Sequence, residues 1–163
     1  MALGAELRQE PDPVTLNQRL QDALRSAMRA RDELRRETLR MAIAAAYNEA
    51  KAARRPLTDD EMVAVLAREL KHRRESIDAF RAGGREDRAR REEDEAAVIA
   101  EFLPAALSED ELREMVRTAV SETGASSPSD LGRVMSVLAP RTRGRADGRT
   151  VSAMVARELG GTS

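Results

Sequence analysis

Apolar residues recur every three to four positions along most of this chain, and the interruptions between the recurring runs carry the chemistry of helix starts and stops. Leu16, Leu20, Ala23, Leu24, Ala27 and Met28 form a narrow first stripe, with Asp12 expected as its cap and Pro13 at the first helical position, where no donor is needed. Asp32 opens a second helix that should reach about Arg55. Between Leu39 and Tyr47 it is apolar almost all round, so it is the expected centre of the N-terminal half. Pro56 breaks it. Thr58 and Glu61 then have the spacing of a capping box, with Leu57 and Met62 placed to staple across it. Met62, Leu66, Leu70, Ile77 and Phe80 mark the buried side of a long third helix, and Gly83-Gly84 supplies a left-handed stop that a β-carbon would penalise. A fourth helix gains a modest apolar edge from Ala96, Ile99, Ala100 and Leu103 before Pro104 ends it.

The same grammar repeats further on. Ser108 and Glu111 form a second capping box with Leu107 and Leu112 as its staple, and Leu112, Met115, Val116, Ala119 and Val120 follow at helical spacing up to Gly124. Ser127, Pro128 and Asp130 start the next helix, whose stripe is Leu131, Val134, Met135 and Leu138 and whose end is expected at Pro140. Asp147 caps a last helix carrying Val151, Met154, Val155 and Leu159. No window alternates with period two over a β-branched run, so no strand is predicted. The expected architecture is all-α, about seven helices around two cores. A flexible tail covers residues 1–12, an N-terminal helical domain residues 13–104 and a small C-terminal helical domain residues 105–163, with a joint at residues 104–107.

Composition agrees with that reading. A chain of 163 residues folding as one body buries roughly 70% of its unfolded surface, so stability alone requires no cofactor. With 41% hydrophobic and 35% charged residues, nine Gly and six Pro, the text is that of a soluble helical protein. No stretch approaches the roughly 18 apolar residues of a membrane span, and the start lacks a basic-then-apolar signal pattern, so a cytosolic location is expected. The absence of cysteine excludes disulfides, thiolate catalysis and cysteine-ligated zinc. From residue 85 to residue 95 every residue but Ala89 is charged, which reads as a solvated helix face laced with intrahelical pairs.

Charge changes the picture at one place. Arg133, Arg141, Arg143, Arg145 and Arg149, five cations against the single acid Asp147, give a local +4 in a chain whose formal net charge is −1. Such an asymmetry around the turn between the last two helices points to an anionic partner, the alternative being arginines that are simply solvated or that pair with the acidic faces at Glu92 to Glu95 and Glu109 to Glu111 of a neighbouring subunit. The only aromatics are Tyr47, Phe80 and Phe102, too few for a single-strand stacking platform. If the partner is an RNA, arginine forks and the amides at the helix start near Asp147 would suit the phosphates of a folded one instead.

Catalytic chemistry is not legible. Ser126-Ser127 has no glycine-rich elbow, and Pro128 directly after it is what a helix cap predicts. Glu69 and His72 have the spacing of carboxylate-bridged di-metal bundles, but such a site needs a second copy and the chain holds one histidine. Gly83-Gly84 lacks the Lys-Ser/Thr of a phosphate loop, and the glycines at 144 and 148 lack a preceding strand. No catalytic residue, metal, cofactor or small-molecule substrate is expected.

The strings TLRMAIAAAYNEAK (residues 38–51), LTDDE and ARELKHRRESIDAF (within 57–80), AGGRED (82–87), EFLPAALSEDEL (101–112), LGRVMSVL (131–138) and GRADGRTV (144–151) stand in an order and spacing that is specific. By them the chain resembles the YqeY family, whose C-terminal part is similar to the tail domain of the GatB subunit of the glutamine-dependent aspartyl/glutamyl-tRNA amidotransferase. The resemblance implies an all-α protein with a GatB-tail-like C-terminal domain. In the amidotransferase that tail contacts the elbow of tRNA, so the partner implied is tRNA or a tRNA-dependent enzyme. The family name is linked to carbon–nitrogen ligation with glutamine as amide donor. The amidotransferase keeps its phosphorylation site in the GatB cradle and its amidase in another subunit, and the matching text includes neither. The alternative is a helical protein-interaction module whose long N-terminal helices bind a partner protein without RNA.

Overall fold

In the computed structural model, which describes residues 14–160, the chain forms seven α-helices and one 3₁₀ turn, with no strand among the described residues. The helices are α1 (Leu16–Ala30), α2 (Glu33–Ala53), α3 (Asp59–Ala82), α4 (Glu86–Ala100), α5 (Glu109–Thr123), α6 (Leu131–Thr142) and α7 (Gly148–Gly160), and the 3₁₀ turn spans Pro128–Asp130. The expected tail at residues 1–12 and the Asp12-Pro13 start lie outside the described residues. The cap of α1 is Thr15, whose hydroxyl accepts from the Gln18 amide while the Gln18 side chain accepts from the Thr15 amide at 3.0 Å. Asp59 takes the Leu16 amide from across the bundle, also at 3.0 Å, so α1 and α3 share a helix start.

The capping boxes at Thr58/Glu61 and Ser108/Glu111 are both formed, and the Asp147 carboxylate accepts from the Thr150 amide at 3.3 Å. These starts carry a pH dependence. The Arg55 guanidinium, and after it the Thr58 amide, hold the Glu61 carboxyl down to about 2, and the backbone amides of Ser108 and Ser126 lower those of Glu111 and Asp130. Their folded values lie below the ordinary unfolded values of about 3.9 to 4.3, so their contribution is present above that range and lost as the pH falls toward 2. We expect the thermal midpoint to drop on acidification from about pH 5 to about pH 2, and the drop to shrink in Glu61→Gln. An unchanged acid profile in that variant would show that the Glu61 cap does not contribute.

Two clusters of buried side chains form the cores. The first joins α1 to α4 around Leu20, Leu39, Leu66 and Ile99, and the second joins α5 to α7 around Val116, Val134, Leu138, Val151 and Val155. Each of the larger side chains is worth about 2–5 kcal/mol against truncation to Ala. Helix-on-helix packing stays within each group: no helix of the first four lies against one of the last three. The groups meet instead through loops. The Leu107 amide donates to the Arg145 carbonyl at 2.8 Å, and Arg145 Nε donates to the Ala105 carbonyl at 3.1 Å.

Gly144 sits at that junction with φ +73, and a β-carbon built on it would lie 2.9 Å from Val63 Cγ1 and 3.2 Å from Leu103 Cδ2. Gly124, at φ +63, has nothing within 4 Å. Gly124→Ala should therefore cost only the left-handed backbone penalty of about 1–2 kcal/mol, and Gly144→Ala that penalty plus the contact with a stiff valine. Urea unfolding of the two variants checks this; equal losses would mean that the loop yields freely.

Two local readings are corrected, at Pro140 and at residues 85–95, and one is refined. Pro140 does not end α6, which runs on to Thr142. The helix forgoes the one bond that Pro140 has no N–H to make, and buried Leu138 and Thr142 on either side hold the last turn in place. The α2 helix packs against α1, α3 and α4, and within its apolar segment from Leu39 to Tyr47 the residues Leu39, Ala42 and Ala46 are covered while Met41 and Tyr47 are 58% and 67% exposed. The charged run at 85–95 is not simply a solvated face. Ala89 is fully buried, and its small side chain lets α4 approach α3 closely enough for Glu92 and Glu95 to pair with Arg73, which is itself buried.

Candidate anion-binding cleft

Ala64, Ala67, Arg68, Lys71 and Arg74 follow one another on α3 at intervals of three, one, three and three residues, which places them along one helix face. That face forms one wall of a cleft of about 650 Å³. The opposite wall comes from the other helical group: Met135 and Ala139 of α6, the α6–α7 loop from Arg143 to Asp147, and the first turn of α7. Leu103 and Pro104 close the floor between them. The alanines leave the room, and the first turn of α7, the positive end of that helix's dipole, is part of the lining.

The wall is cationic. Arg68, Lys71, Arg74, Arg143 and Arg145 line it against the one carboxylate of Asp147, which is occupied with capping α7. Arg68 is neutralised by Glu49 at 2.9 Å, and Arg145 is bound to the Ala105 carbonyl. Lys71, Arg74 and Arg143 are exposed and their side chains have no hydrogen-bond or ion-pair partner among the described residues. An unneutralised charge from each side of a narrow space raises the local potential for an anion more than the same charges spread over a convex surface.

Of the five arginines singled out in the sequence, the structure brings Arg143 and Arg145 into this cleft and sets Arg149 at its side, 82% exposed and 3.9 Å from Glu75 of α3. Arg133 and Arg141 are elsewhere, paired with Asp130 at 2.8 Å and with Glu122 at 2.9 Å. Sequence reading missed Lys71 and Arg74. A signal was present, since cations at 68, 71 and 74 stand three apart and share a face beside Ala64 and Ala67.

A family model described as Yqey-like protein matches residues 17–159. The chain belongs to the YqeY-like family. It is also 31% identical, over 157 residues, to a protein of Pyrenophora tritici-repentis (strain Pt-1C-BFP) named "Altered inheritance of mitochondria protein 41, mitochondrial"; the match covers 92% of this chain and 83% of that one. The family resemblance read from the motif strings and the all-α fold are thus both established.

The remaining chemical candidates of this YqeY-like chain are structural. Asp130 accepts from the Ser126 and Ser127 amides at 2.9 and 3.1 Å, and the Ser127 hydroxyl lies 2.7 Å from that of Ser129, so the serine pair belongs to the turn before α6. His72 is exposed, and no group of three or more His, Cys, Asp or Glu stands ready for a metal among the described residues. No helix among them is long and apolar enough to cross a membrane.

Proposed function

We propose that this chain is an accessory RNA-binding module that holds phosphates of a folded RNA, tRNA above all, at the cleft between its two helical groups. The observation that carries the reading is the convergence of Lys71, Arg74 and Arg143, cations whose side chains have no partner among the described residues, from both groups onto one space. The similarity of the C-terminal part to the GatB tail supports the choice of tRNA. Phosphates carry no base identity, so binding is expected to depend little on sequence. The association of the family name with carbon–nitrogen ligation is read as help given to a tRNA-dependent enzyme, and the pure chain is expected not to hydrolyse glutamine. The cytosolic address belongs to the same proposal, while the fungal relative's own name is mitochondrial.

The test is titration of labelled tRNA with the full chain between about 50 and 200 mM salt. Three phosphate contacts predict that log K falls with log salt at a slope of about −2 to −3. Exposed Met41 and Tyr47 on α2 favour the second reading, a surface for a partner protein. Indifference to RNA at low salt would leave that reading in its place.

A further inference from the structure

The cleft is more than a place for a bare anion. Its mouth carries the charge, but its interior is mostly apolar, made by Leu70, Leu103, Met135, Ala139 and Val151. Inorganic phosphate would use only the cations and leave the apolar lining empty. A volume of about 650 Å³ lies within the roughly 300–1,000 Å³ of sites that bury a small organic ligand.

Resting on the RNA reading above, we propose that the cleft takes a single nucleotide unit: its phosphate at the mouth on Lys71, Arg74 and Arg143, its sugar and base inside against Leu70, Leu103 and Met135. The one neutral hydroxyl of the lining, Thr142, already donates to the Leu138 carbonyl at 3.2 Å, so largely apolar walls receive a base by its face and select little by hydrogen bonding. Gly148, where an added β-carbon would meet nothing within 4 Å, leaves the loop side of the cleft open. The nucleotide has two possible sources, an unpaired end of a bound RNA or a free mononucleotide, and both present the same chemistry.

The experiment uses the full chain and five probes: adenosine monophosphate, inorganic phosphate, adenosine, and two hairpin RNAs that share a stem and differ in ending blunt or with an unpaired 3′ nucleotide. Binding is read by calorimetry. Adenosine monophosphate is expected to bind roughly tenfold or more tightly than either phosphate or adenosine, because only it uses both mouth and interior. Ala67→Phe fills the interior without removing a charge; it should bring the mononucleotide affinity down to that of inorganic phosphate, with the unfolding transition recorded alongside as the check on folding. An RNA-end source predicts that the overhang hairpin binds more tightly than the blunt one and is displaced by the mononucleotide. A free-nucleotide source predicts equal hairpins with the mononucleotide advantage intact. Equal affinities for mononucleotide and phosphate in the native chain would overturn the proposal, as would hairpin binding that no mononucleotide competes with; in the latter case the RNA reading survives and the nucleotide site falls.

Discussion

Arg73→Ala is expected to cost about 3–5 kcal/mol of folding free energy, the largest loss of any single charged residue here. Arg73 is 6% exposed and lies between α3 and α4, where its Nη1 pairs with Glu92 at 3.3 Å and with Glu95, and its Nη2 lies 4.0 Å from Met41 Sδ on α2. The side chains of Glu92 and Glu95 are only 24% and 14% exposed. Removing the guanidinium leaves two poorly hydrated carboxylates, Glu92 without a cation among the described residues and Glu95 with only the exposed Arg91, whose Nε lies 3.2 Å away. The buried Arg73 Nε has no acceptor, so desolvation already offsets part of the attraction in the native protein. The triple replacement Arg73→Met, Glu92→Gln and Glu95→Leu removes the unpaired charge with the ion pair and should recover most of the loss, a pattern that simple loss of packing does not give. Urea unfolding of both variants is the check; a loss under about 1 kcal/mol for Arg73→Ala would mean that water reaches this seam.

That seam also shows where sequence reading stops. The helix starts were legible because a capping box is a contract between residues three apart, and Thr58/Glu61 and Ser108/Glu111 keep it. Residues 85–95 read as solvent-facing because almost every position is charged. What decides their environment is the neighbour across the gap, and one alanine at 89 lets α3 come close enough to draw two acids inward. Pro140 misled for a related reason, since tertiary burial of Leu138 and Thr142 outweighs the local break. The basic turn was visible as a charge excess within a short window. Its partner wall was not, because Lys71 and Arg74 precede Arg143 by about seventy residues and the two meet only once the loops at Leu107 and Gly144 lock the helical groups together.

Replacing Lys71, Arg74 and Arg143 together by Ala should leave stability within about 0.5 kcal/mol, since all three are exposed and make no side-chain bond among the described residues. RNA affinity should fall instead, by a factor that grows as salt is lowered, with little dependence on RNA sequence. Arg133 and Arg141 offer a matched control. Each is already neutralised by a neighbouring carboxylate, and neither lines the cleft, so their joint replacement should change affinity much less.

The most direct test of the central claim is therefore the salt dependence of tRNA binding, measured side by side for the native chain, the cleft triple variant and the Arg133/Arg141 double variant. The account predicts that the slope of log K against log salt flattens by about two to three in the cleft variant and by less than about one in the double variant. A native slope retained in the cleft variant, with binding abolished instead by replacing Arg85, Arg88, Arg90 and Arg91 on the α4 side, would contradict it.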